Sequence, residues 1–322
     1  MPAEVENMFY VGDPPWHGQG TRLDDPPTAH EAIRAAGLNW RVEKRPLFTP
    51  FYKKRTKSRS PHGVQKVIEG YSAVVRTDKQ RVLGVVGKTW QPLQNRDAFE
   101  FFDPFVENGA AAYHTAGSLK DGQYVWVLAK LDSDPMRVAK NDYVDRYLLL
   151  SNSHDGKTAV NVRFTPVRVV CWNTLSMAES DNAAPFLRIR HAGNLKQTMQ
   201  RVQEVVDITN RTFAATLEKY RWLAKHQVGN IQKYVCDVLQ VPHDPEQPPR
   251  ALDNIVQLFD AGRGQDNKAI RGTLWAAYNG ITEWVDHERG RDSTRIHAAW
   301  YGEGMRIKQR AMTVATELAR AA

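Results

Sequence analysis

The sequence predicts an α+β fold, an antiparallel sheet of hairpins with packed helices followed by a mainly helical C-terminal region. Three observations predict it. Between residues 40 and 165, runs rich in β-branched and aromatic residues are joined by short polar connections. Two of these connections contain Asp-Gly, at Asp121-Gly122 and Asp155-Gly156. Beyond residue 194 the apolar residues change to spacings of three and four.

The elements follow in order. Residues 8 to 27 hold four prolines and three glycines with no periodicity, which predicts an irregular, aromatic-anchored segment. Thr28 is placed to cap a short helix, HEAIRAAG, closed by Gly37. WRVEKRPLF (40 to 48), VIEGYSAVVRT (67 to 77) and RVLGVVGKTW (81 to 90) read as strands, the last two a hairpin around Asp78-Lys79-Gln80. In NRDAFEFFDPFVEN, Asn95 is the expected N-cap and Pro104 the expected end or kink. Residues 111 to 131 form a hairpin around Lys120-Asp121-Gly122, and DRYLLLSNS (145 to 153) with KTAVNVRFT (157 to 165) forms another. Pro166 suits the first turn of a helix, so VRVVCWNTLSMAES is expected to be helical, with a final strand at 185 to 191. Leu195, Met199, Val202, Val206, Thr209, Phe213, Thr216, Tyr220 and Leu223 then mark a long amphipathic helix whose near-3.5 period permits self-association. Helical segments are expected around 230 to 241, 250 to 261, 267 to 288 and 304 to 321. The change of character divides the chain into residues 1–191, an α+β domain, and 192–322, a helical one.

Composition narrows the function. Cys171 and Cys236 are the only cysteines in 322 residues, too few for a disulfide framework or a Cys-rich zinc site, and they fit a reducing cytoplasm. Glu4 and Glu6 stand where a signal peptide carries cations, and no run of about 18 apolar residues occurs, so neither secretion nor a membrane span is expected. No histidine or carboxylate set has metal-ligand spacing, and no metal or cofactor is expected. Gly87-Lys88-Thr89 and Gly156-Lys157-Thr158 are not phosphate loops, because the required upstream glycine is replaced by Val82 and Ser151. No catalytic residue stands out. An enzyme acting on nucleic acid or nucleotide would draw on Cys171 or His154, but a buried small thiol accounts for Cys171 as well.

Net charge is +8, and its distribution is informative. Residues 53 to 91 contain ten cations against Glu69 and Asp78, so this stretch carries the whole excess. Within it, Lys53, Lys54, Arg55, Lys57 and Arg59 occupy seven positions without an acid. A solvated surface usually mixes both signs, whereas a run of one sign beside aromatics fits a polyanion with bases to stack. The candidate nucleic-acid-binding set is therefore Lys53, Lys54, Arg55, Lys57, Arg59, Tyr71, Arg76, Lys88, Trp90, Arg163 and Arg168, with Arg188, Arg190 and Trp172 nearby. No helix-turn-helix, zinc-finger or basic-leucine signature is present, which points to single-stranded DNA rather than duplex reading.

NMFYVGDPPWHGQGTRL, GKTWQPLQN and PVRVVCWNTLSMA resemble the recurring motifs of the phage/plasmid-like proteins grouped as a bacterial domain of unknown function, from about Glu4 to residue 225. That resemblance implies a mobile-element protein in a bacterial cytoplasm and no particular activity. The order of basic hairpins and a following helix is also similar to the β-β-β-α core of single-strand annealing proteins, which include the eukaryotic annealing protein and the phage Red-beta and RecT recombinases. This second resemblance implies an oligomer that holds single-stranded DNA in a basic groove without a nucleotide cofactor. The expected function is thus single-stranded DNA binding and annealing by a homo-oligomer. The alternatives are the enzyme named above and a virion or host-interaction protein whose basic loop meets an acidic protein surface.

Overall fold

The computed structural model describes residues 5–12, 19–51, 64–132, 134–168, 173–174, 186–195, 197, 206–291 and 295–322. Its centre is a large sheet whose path runs β11(Asn173–Thr174), β10(Val160–Arg168), β9(Asp142–Ser153), β7(Tyr124–Leu131), β6(Ala111–Leu119), β1(Val5–Val11) and β2(Thr21–Leu23). β12(Phe186–Ile189) pairs with the other end of β10, and β8(Met136–Ala139) pairs with β9. Every pairing in it is antiparallel except β1 with β2. A second sheet holds β3(Val42–Phe51), β4(Val64–Arg76) and β5(Arg81–Gly87), antiparallel throughout. The α+β class is as the sequence predicts.

The large sheet is buried on both faces. Strand residues alternate sides, so Val125, Val127, Leu148, Leu150 and Val162 join a core with Ala32, Phe99, Phe102, Val74, Leu83 and Val86. Trp126, Leu128, Tyr147 and Leu149 join another on the opposite face, with Trp300 packed against it. Two-sided burial explains why YVWVLA and YLLL are unbroken apolar runs. Each such side chain removed from water contributes about 1.5–3 kcal/mol.

The first core is closed by α1(Ala29–Ala35), α2(Asn95–Glu100) and α3(Asp103–Glu107). Thr28 caps α1 as expected, in a reciprocal capping box with Glu31. Asn95 does not cap α2. Gln94 holds that position, and its side-chain amide exchanges hydrogen bonds of 3.0 Å with the N–H and C=O of Val42 on β3. Asn95 is buried instead and donates to the Leu38 carbonyl at 3.1 Å. Pro104 breaks the helical segment as expected, lying in the first turn of α3.

Three further expectations are corrected. Within residues 8 to 27, expected to be irregular, Met8 to Val11 belong to β1 and Thr21–Leu23 form β2. Pro166 does not begin a helix; it lies within β10, opposite Arg146. Proline is tolerated there because β12 pairs with β10 only as far as Arg163 and β11 only from Val167, leaving a gap in the described ladder where no N–H is needed. Asn173–Thr174 within that expected helix form β11, and its residues 169 to 172 and 175 to 180 lie outside the described residues. Finally, helix does not start at residue 267: Thr273 caps it, its hydroxyl accepting from the Ala276 N–H at 3.2 Å.

The C-terminal region comprises α4(Val206–Leu223), α5(Ile231–Leu239), α6(Leu252–Ala261), α7(Leu274–Glu283) continued by a π-helical turn (Trp284–Glu288), α8(Arg295–Tyr301) and α9(Glu303–Ala321). All ten residues of α7 are buried, the mark of a central helix. Ala311, Ala315 and Ala319 on α9 share its core. Trp275 donates from Nε1 to the buried Asp142 carboxylate at 2.9 Å, tying α7 to the start of β9. Val138 and Val144 of the sheet belong to this helical core as well.

The small sheet is seated on the turns of the large one. Gln123 donates from Nε2 to the Leu83 carbonyl at 3.0 Å, and a Cβ on Gly84 would stand 2.5 Å from the Asp155 carbonyl oxygen. Gly84→Ala is therefore expected to cost about 1–3 kcal/mol of stability by overpacking. Urea unfolding should show a lower midpoint, and an unchanged midpoint would mean that β5 does not bear on this turn.

Candidate nucleic-acid interface

β5 ends at Gly87 opposite Tyr71, so β3 and β4 continue beyond it as a two-stranded ribbon. Residues 65 to 71 are all exposed. Phe48 is 51%, Phe51 52%, Val67 53% and Tyr71 57% exposed, a concentration of large apolar side chains in water. The Lys66 ammonium lies 5.0 Å from the centroid of the Phe51 ring, within cation–π range. Between Phe48 and Pro46 the register jumps: β4 carries the extra residues Ile68, Glu69 and Gly70, with Gly70 at φ 81°, a left-handed turn that glycine takes without strain.

The ribbon is the stem of the cationic run. Lys53, Lys54, Arg55, Lys57 and Arg59 lie outside the described residues, between Phe51 at one foot and Val64 at the other. Tyr71 and Lys88 are exposed on the same small sheet or just past its end. The Lys88 carbonyl accepts from the Lys44 ammonium at 3.0 Å, which ties down the chain leaving β5.

The other predicted residues are placed differently. Arg76 is 2% exposed, so it is not a surface cation: its guanidinium binds Asp78 at 2.7 and 2.9 Å, reaches Glu6 and the Asp121 carbonyl, and covers the Trp40 ring at 4.2 Å. Trp90 is half-buried and its ring stacks on His191 with centroids 4.8 Å apart, so one face is taken. Arg163 donates to the Trp300 carbonyl and to Met305 Sδ, which turns it toward the helical region. Arg168 pairs with Val144 and Asn173 through the backbone. Exposed aromatic stacking positions thus fall at Phe48, Phe51 and Tyr71. Phe48 and Lys66 escaped the sequence reading because nothing in a local pattern says that β5 stops short and leaves both ribbon faces open.

His154, on which an enzyme would draw, is wholly buried, with Nε2 3.0 Å from Asn95 Oδ1 and its ring edge-on to Trp40 at 5.4 Å. Burial, with His191 adding to it, lowers its pKa to about 3, and the imidazole is neutral and sealed in the core. Cys171 lies outside the described residues. Among the described residues no three His, Cys, Asp or Glu side chains are grouped to hold a metal, and no helix is long and apolar enough to cross a membrane.

The sequence pattern described as Domain of unknown function (DUF932) matches residues 82–318. The chain belongs to the DUF932 family. No curated protein and no solved structure matches it. The DUF932 match begins at Val82 in β5 and runs to α9, so it covers most of the large sheet and the helical region and stops short of the ribbon. DUF932 membership therefore carries no information about the ribbon or the cationic run, whose chemistry has to be argued from their own residues.

Proposed function

We propose that this protein binds single-stranded DNA and, as a homo-oligomer using no nucleotide cofactor, promotes annealing in the cytoplasm of a bacterial host that carries a phage or plasmid. The observation that supports it best is the ribbon: Phe48, Phe51 and Tyr71 exposed beside Lys66, on a stem that leads into five cations. Bases have apolar faces and charged backbones, so a binder without sequence preference needs this pairing of rings with cations. Annealing asks for no covalent step, only screening of phosphate repulsion while base edges stay free.

Changing Lys53, Lys54, Arg55, Lys57 and Arg59 together to Gln tests the reading. Each phosphate contact on a single strand contributes about 0.7 to the slope of log affinity against log salt, so the slope should fall by about 3.5. Fluorescence anisotropy with a labelled oligonucleotide, repeated across salt concentrations, reads it directly. A variant with the parent's affinity and slope would remove the run from any DNA contact.

A further inference from the structure

Both faces of the ribbon are open, and the register puts one phenylalanine on each. Residues opposed across an antiparallel pair share a face, and neighbours along a strand alternate. Phe48 with Val67 and Pro50 with Gln65 therefore make one face, while Thr49 with Lys66 and Phe51 with Val64 make the other. Phe48, Val67, Pro50 and Gln65 are exposed on the first, Lys66 and Phe51 on the second. No core cluster includes any of these side chains.

We propose that the ribbon holds two single DNA strands at once, one on each face, with Phe48 and Phe51 as separate stacking platforms. The inference rests on the single-strand binding proposed above and names how many strands the same site takes. Phe48 and Phe51 stand three residues apart on β3, about 10 Å along the strand, and on opposite sides of the ribbon's backbone layer, so consecutive bases of one strand do not reach both. Charge selects a polyanion as the occupant, since the stretch from 53 to 91 holds the entire net charge of the chain. Strand addition by a second copy is opposed at the β3 edge, where Pro46 and Pro50 lack the N–H a new ladder would use. A blade with one strand on each side brings two strands within reach of each other while keeping them from tangling, which is the condition annealing starts from.

The experiment titrates the full-length protein with a mixture of two non-complementary oligothymidylate-type 12-mers, one carrying a donor dye and the other an acceptor, at concentrations far above the dissociation constant. Two oligonucleotides per protomer and energy transfer between them are expected. In titrations near the dissociation constant, Phe48→Ala and Phe51→Ala should each weaken one of the two sites at least about fivefold and leave the other unchanged. Both side chains are exposed, so circular dichroism should be unaltered in either variant. One oligonucleotide per protomer in the parent, or both substitutions weakening the same single site, overturns the two-strand arrangement and leaves single-strand binding standing. No binding of either oligonucleotide overturns both.

Discussion

Replacing Arg76 by Met is expected to lower the unfolding free energy by about 3–5 kcal/mol, because it breaks a buried ion pair and leaves one partner behind. The Arg76 and Glu6 side chains are 2% and 5% exposed, and Glu6 also meets the Lys79 ammonium and the Ser118 hydroxyl. With Arg76 gone, a buried carboxylate keeps only an exposed lysine as its counter-charge. Burial by itself raises the Glu6 carboxyl, but the hydrogen bonds and charges of Arg76 and Lys79 outweigh it and hold the group below the ordinary carboxylate range. A carboxyl depressed in the folded state stabilises above its unfolded pKa and loses that contribution as pH falls through the folded value, so this part of the stability should disappear on acidification below about pH 4.5. Urea unfolding at pH 7 checks the magnitude. The double variant Glu6→Gln with Arg76→Met should recover part of the loss, because no buried charge is left unpaired. An unchanged midpoint in Arg76→Met would show that the buried guanidinium does not hold the two sheets together. Since Arg76 joins the end of β4 to β1 and to the β6–β7 turn, the variant should also weaken DNA binding without changing its salt slope, the signature of a displaced ribbon rather than a lost phosphate contact.

Arg76 also shows what the sequence can and cannot display. Its charge is visible in the sequence, but its partner is 70 residues away, and a cation that completes a buried pair looks like any other until the pairing is known. The hairpins were legible because their evidence is local: Asp121-Gly122 and Asp155-Gly156 supply positive-φ positions between β-rich runs. Thr28 with Glu31 was legible for the same reason. Pro166 misled because its tolerance in β10 depends on a gap between β11 and β12, two strands that approach from later in the chain. Asn95 misled because its side chain is spent on Leu38 and His154, across 57 and 59 residues. The cationic run was plain, whereas the open ribbon beneath it depends on where β5 ends relative to β4. Candidate charges were therefore readable, and which of them face water was not.

Between pH 7 and pH 5 the protein is expected to lose about 2 kcal/mol of stability through His154 alone. Its folded pKa is about 3, against an ordinary value near 6.5 in the unfolded chain. Below pH 6.5 the unfolded state takes up a proton that the folded state refuses, so stability rises with pH across this window and is lost on acidification. The paired Glu6 and Asp78 carboxyls are held low, whereas His114, lowered to about 4 by burial, and His191, also lowered, add losses of the same sign that the parent and the variant share, so the difference between the two proteins isolates His154. His154→Phe keeps a ring against Trp40 and cannot titrate. It should start from lower stability at pH 7, because Asn95 Oδ1 loses its buried partner at a cost of about 1–3 kcal/mol, and then lose about 2 kcal/mol less than the parent on going to pH 5. Equal losses in the two proteins would mean that another group carries the pH dependence. The position of His154 gives the result a functional side. The next residues, Asp155 and Gly156, form the turn that presses on Gly84 and Val86 of β5, so protonating or ejecting this imidazole disturbs the seat on which the ribbon stands. With a folded pKa of about 3 the imidazole stays neutral at pH 5 in the folded protein, so the affinity of the folded parent for single-stranded DNA should be the same at pH 7 and pH 5 while its stability falls.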